Sequence, residues 1–76
     1  MNSRIKGILS SEPKPADEDR KRITFILIND ETKRAVSCAS DLRFDTSVRI
    51  KNGANVILIG DWETGYFRFH SAGQSR

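Results

Sequence analysis

The sequence predicts an all-β fold, a small closed barrel of five strands. Three observations carry that prediction. First, Ile23-Thr24-Phe25-Ile26-Leu27-Ile28 is a run of six apolar or β-branched residues bounded by polar clusters, too short for a globular helix. Second, four further short runs of similar character recur along the chain, separated by turn-forming residues. Third, 76 residues form one small domain, 1–76, which buries only roughly 60% of the surface its unfolded chain exposes. The single cysteine, Cys38, excludes an internal disulfide framework, and no Cys/His cluster is present to hold a structural metal, so no cofactor is expected. Closing the sheet removes exposed edges and concentrates a modest core.

The strands are expected near 4–10, 22–30, 34–40, 54–61 and 65–71. In the first, Arg4-Ile5-Lys6-Gly7-Ile8-Leu9 sets Ile5 and Leu9 on one side and Arg4, Lys6 and Ile8 on the other. Gly7 in mid-strand marks a bulge or sharp bend, as a strand shared by two halves of a barrel needs. Residues 10–21 hold two prolines, two serines and four carboxylates without a large apolar residue, which predicts a flexible exposed loop. The second strand and Ala35-Val36-Ser37-Cys38-Ala39 form a hairpin turning near Asp30–Lys33. Residues 41–50 mix strand-like and helix-capping signals and form a connector with a short helix or none. Val56-Ile57-Leu58-Ile59 makes the fourth strand, Asp61 to Gly65 a loop, and Tyr66-Phe67-Arg68-Phe69-His70 the fifth strand. The polar end, 72–76, is expected to fray.

A first strand broken by Gly7, an apolar second strand closed by Asp30, and Asn52-Gly53-x-x-Val56-x-Leu58-x-Gly60 together resemble the OB-fold. The similarity is to the anticodon-binding and replication-protein-like nucleic-acid-binding barrels, over Arg4 to Ser71. One departure is visible: Thr32-Lys33 stands where these proteins often carry a glycine after the second-strand Asp. The resemblance implies a Greek-key barrel whose ligand lies across the outer face of strands two and three, framed by the first-to-second and fourth-to-fifth loops. It also implies that Phe25 faces outward and stacks on a base, whereas the all-apolar run by itself assigns no face and leaves a core position open.

Thirteen basic against ten acidic residues give a net charge of +3, a balance that permits a polyanion partner without demanding one. Enzymatic chemistry lacks its parts. Cys38 is a lone thiol in an apolar run, and His70 has no partner base or metal in the pattern. Asp17-Glu18-Asp19 suits solvent better than general acid–base work, and Gly53, Gly60 and Gly65 punctuate strands instead of cradling phosphates. No enzyme activity is expected.

Single-stranded nucleic acid needs cations for phosphates and flat rings for bases. The candidates for the rings are Phe25, Trp62 and Tyr66, and for the phosphates Lys6, Arg22, Arg34 and Arg68. Trp62, in a short polar loop, either folds back over the barrel end or meets a ligand. The expected function is therefore single-stranded DNA or RNA binding by stacking and phosphate contacts. The alternative is a protein-interaction module or complex subunit with little or no nucleic-acid binding. It rests on surplus apolar residues: with Val56 and Leu58 turned inward, Ile57 and Ile59 point out, joined by Ile8 and Leu27, as a homo-oligomer or larger assembly would use. No apolar stretch approaches the roughly 20 residues of a membrane-spanning helix, and the first residues lack a signal peptide's apolar block. A cytoplasmic, intracellular location with no membrane partner is the expectation.

Overall fold

The structure, a computed structural model, describes residues 2–15, 22–42, 44–45 and 50–74. Part of the expected loop (16–21, with Asp17-Glu18-Asp19), most of the connector's centre (46–49) and the last two residues lie outside the described residues. Six strands follow in order: β1 (Ser3–Leu9), β2 (Lys14–Pro15), β3 (Ile23–Asn29), β4 (Ala35–Ser40), β5 (Asn55–Glu63) and β6 (Tyr66–Gln74). The described residues contain no helix.

The sheet order β1-β5-β6-β4-β3 closes through a further β1–β3 pairing, giving a five-stranded barrel of OB type. Only β4 and β6 run parallel; the other pairs are antiparallel. Closure rests on β1 being shared, as the mid-strand glycine suggests. Gly7 lies opposite Val56 on one side and Asn29 on the other. A Cβ on Gly7 would overlap the Ile28 carbonyl oxygen, so only glycine lets β1 and β3 approach this closely. Gly60 has the same role between β5 and β6, where a Cβ would overlap the Arg68 carbonyl oxygen. There the register slips by one residue: Ile59 pairs with Ser71 and Gly60 with Phe69. This bulge bends the long β5–β6 ribbon around the core.

The β3–β4 turn forms without glycine. Asn29 N–H donates to Arg34 O at 2.9 Å, Lys33 N–H donates to Asn29 O at 2.8 Å, and Glu31 N–H donates to Asn29 Oδ1 at 2.8 Å. Lys33 adopts φ 60°, the left-handed conformation that the missing glycine would supply. Three self-satisfying bonds around Asn29 offset that backbone cost.

Three expected boundaries are corrected. β5 continues through Asp61, Trp62 and Glu63, leaving Thr64-Gly65 as a two-residue turn with Gly65 at φ 89°. β6 runs to Gln74, because Ala72, Gly73 and Gln74 pair with Leu58, Ile57 and Val56. Inside the expected flexible loop, Lys14–Pro15 pairs with Thr24 and Ile23. Ser10 N–H donates to Ile26 O at 2.8 Å and Ile26 N–H donates to Ser11 Oγ at 2.9 Å, which steers the chain along the β3 edge. Pro15, lacking an N–H, suits that edge position.

Among the described residues ten form the core: Ile5, Leu9, Phe25, Leu27, Cys38, Phe44, Val56, Leu58, Phe67 and Phe69. Phe69 joins the rings, with Phe25 tilted against it at 5.4 Å and Phe44 edge-on at 4.9 Å. Phe44 reaches in from the connector to plug one end of the barrel. Cys38 is fully buried, and that burial pushes its thiol up to about 12, leaving it protonated and a poor nucleophile.

Gly7→Ala should therefore lower stability by at least about 2 kcal/mol in urea denaturation, since the β3 backbone at Ile28 and Asn29 must shift. Gly73→Ala, where a Cβ meets nothing within 4 Å, should change it by no more than about 0.5 kcal/mol.

Candidate functional site

Register decides which side chains share a surface. On β3, Phe25 opposite Cys38 belongs to the inner row, which runs Phe25, Cys38, Phe67, Trp62 across β3, β4, β6 and β5. The row one residue along faces outward and runs Thr24, Ala39, Arg68, Asp61 across the same strands. Within the outer row the two strands at the centre differ in bulk. β4 presents Ser37 and Ala39, so its outer face is low, while Arg22 on one side and Tyr66 and Arg68 on the other rise above it.

The result is a groove of about 390 Å³ lined by Arg22, Thr24, Ser37, Ala39, Tyr66 and Arg68, with Ser40 below and Thr64-Gly65 at its rim. That volume sits at the low end of the roughly 300–1,000 Å³ typical of small-molecule sites. Three of the seven expected site residues, Arg22, Tyr66 and Arg68, converge here.

The groove's polar groups have fixed roles. Thr24 Oγ1 donates to Cys38 O at 2.8 Å, leaving only lone pairs to offer. Ser40 Oγ accepts from Ile23 N–H at 2.9 Å. Arg22 Nε is buried and has no hydrogen-bond partner among the described residues. A guanidinium N–H shielded from water without an acceptor costs about 1–3 kcal/mol or more. Arg68 is the opposite case. Its Nη1 lies 3.1 Å from Glu63 Oε1, its Nη2 3.7 Å from Asp61 Oδ2 and its Nε 3.8 Å from Asp41 Oδ2. Three carboxylates lie around one guanidinium and offset much of its charge locally.

The remaining expected site residues fall elsewhere. Phe25 is corrected: it is 3% exposed and packs on Phe69, because alternation fixed by the Cys38 pairing turns residues 25, 27 and 29 inward. Leu27, expected outward, is fully buried for the same reason. Ile8 does face out, at 42% exposure, and Ile57 and Ile59 are half-buried on the outer face of β5. Trp62 lies in β5 and not in a loop, and folds over the barrel mouth edge-on to Phe67 at 5.0 Å with half its surface exposed. Lys6 shares a different depression with Arg4, Glu31 and Ile57. Arg34 is exposed at the far end of the hairpin, opposite Asn29. Seven residues of extended chain, roughly 23 Å, separate that end from Arg22. Thr24, Ser37, Ala39 and Ser40 were not expected in the site. For Ser37, Ala39 and Ser40 the signal is the run of small residues along β4, readable only once the register is known.

No family model and no curated protein sequence matches the chain. A solved structure matches in fold: the complex of TiaS with an isoleucine tRNA, AMPCPP and agmatine, at a TM-score of 0.69 and 16% sequence identity. The match covers 99% of this chain and 19% of that one, so the chain spans about a fifth of the length of TiaS. The likeness shows the fold of the barrel.

If the carboxylates hold Arg68 electrostatically, Arg68→Ala removes the cation that Asp41, Asp61 and Glu63 share. Stability should then fall by about 1 kcal/mol or less, because the pairs are partly exposed. The loss should shrink when urea melts are repeated at high salt, which screens the remaining negative charge. A loss independent of salt would mean that Arg68 acts by packing alone.

Proposed function

We propose that this barrel is a non-catalytic module that binds single-stranded nucleic acid in the groove over β3, β4 and β6. The observation that carries the reading is the convergence of Arg22 and Tyr66 on a low floor of Ser37 and Ala39. Tyr66 supplies a ring for a base and the Arg22 guanidinium a charged donor for a phosphate oxygen. The fold supports it too, since TiaS, whose structure contains a barrel like this one, is a tRNA-bound protein. Arg68 organises the wall and, being ringed by carboxylates, contributes little net attraction for phosphate.

A second reading is favoured by a separate surface. Ile8 and Ile26 are 42% and 36% exposed, and Ile28 lies opposite Ile8 in the β1–β3 ladder. With Ile57 and Ile59 this gives outward apolar area suited to another protein chain, as in an oligomer or complex subunit.

Titration of labelled oligo-dT, oligo-U and duplex DNA across a salt series separates the two. Both single strands should bind and the duplex should not. Tyr66→Leu should cost roughly 1–3 kcal/mol with the salt slope unchanged. Arg22→Ala should flatten the slope of log K against log salt by roughly 0.7, one single-strand phosphate contact. Absence of binding to either single strand at low salt would contradict the nucleic-acid reading and leave the protein-interaction one.

A further inference from the structure

Within that nucleic-acid reading, on which this step rests, we infer that the groove selects ribose over deoxyribose, with Thr24 Oγ1 accepting a hydrogen bond from a 2′-hydroxyl. Thr24 stands at the β3 end of the outer row, beside Ala39 and two residues after Arg22. Its hydroxyl hydrogen is committed to Cys38 O at 2.8 Å. A threonine hydroxyl has one donor and two lone pairs, so toward the groove Thr24 is an acceptor only. A 2′-hydroxyl is the group on a nucleotide backbone that can donate to it, and deoxyribose has nothing to place there.

The neighbouring groups fix where the sugar falls. Arg22 immediately precedes β3 and Thr24 is its second residue, so the two lie roughly 6.6 Å apart for extended chain. A phosphate held by the guanidinium of Arg22, which lines the groove, therefore sets its own ribose over Thr24. The opposite wall does not compete for that phosphate, because Asp41, Asp61 and Glu63 surround Arg68. The base then extends toward Tyr66, which lines the same wall as Arg68. Ala39 matters by its size: a larger residue opposite Thr24 would fill the space that the ribose needs.

The test compares oligo-U with oligo-dU, which differ only at the 2′ position, and adds a 2′-fluoro oligomer that keeps an RNA-like sugar pucker but cannot donate. The parent protein should bind oligo-U about 3–10-fold more tightly than oligo-dU, the span of one neutral hydrogen bond, and should treat the 2′-fluoro strand like oligo-dU. Thr24→Val, close in shape and lacking the oxygen, should abolish the difference between oligo-U and oligo-dU. Thr24→Ser should keep the preference. Equal binding of oligo-U and oligo-dU by the parent overturns the inference while leaving nucleic-acid binding intact. So does a 2′-fluoro strand bound as tightly as oligo-U, because pucker and not donation would then be read. The 2′-fluoro arm needs no variant, so the inference is decided even if Thr24→Val fails to fold. Failure of all three strands to bind contradicts the underlying nucleic-acid reading itself.

Discussion

The pairing of Phe25 with Cys38 is the constraint on which the other faces of this barrel depend. Side chains alternate along a strand, so a slip of one residue would send Phe25, Leu27 and Cys38 outward and bring Thr24, Ile26 and Ser37 in. The observed register is held at both ends of the hairpin. At one end Asn29 gathers Glu31, Lys33 and Arg34 into the turn. At the other, Ser40 Oγ takes the Ile23 N–H and Thr24 Oγ1 reaches the Cys38 carbonyl. The parallel contact of β4 with β6 then carries the same parity to Phe67 and Phe69, and β5 receives it through Gly60. Packing and function are thus linked: the bond that locks Thr24 into the ladder also sets the polarity it shows to the groove.

The groove itself is made by subtraction. Its floor is low because β4 carries serine and alanine on its outer face, and its walls stand because β3 and β6 carry arginine and tyrosine there. Charge is distributed unevenly around it. Arg22 keeps an N–H without an acceptor, while Arg68 is held by three carboxylates. A ligand that met only cations would be held by its phosphates and indifferent to everything else. Here one charged anchor, one ring and fixed hydroxyls give a site that favours position and stacking over bulk electrostatic attraction.

Much of the barrel was legible in the sequence. The six-residue run at Ile23, the glycine at position 7, and the parity of Phe67 and Phe69 each follow from period-two patterning or from backbone sterics, and each appears as expected. The site was legible only in part. Arg22, Tyr66 and Arg68 flank strands in a way that pattern alone suggests. Phe25 misled because a run apolar at every position carries no alternation, and the outward direction came from the resemblance instead. Trp62 misled because its polar neighbours Asp61 and Glu63 look like a loop, whereas the strand continues through them and turns the indole over the barrel mouth. Of the three ion pairs of Arg68, those to Asp61 and Glu63 lie within the β5–β6 hairpin, while Asp41, 27 positions away, is brought near by the parallel pairing of β4 with β6.

Amide chemical-shift mapping tests most directly whether this groove is the functional surface. Titrating isotope-labelled protein with short oligo-U should concentrate the perturbations at Thr24, Ser37, Ala39, Gly65, Tyr66 and Arg68, and leave Lys6, Ile57 and Ile59 unmoved. Perturbations gathered instead around Lys6, Ile57 and Ile59, or none at saturating oligonucleotide, would contradict the account.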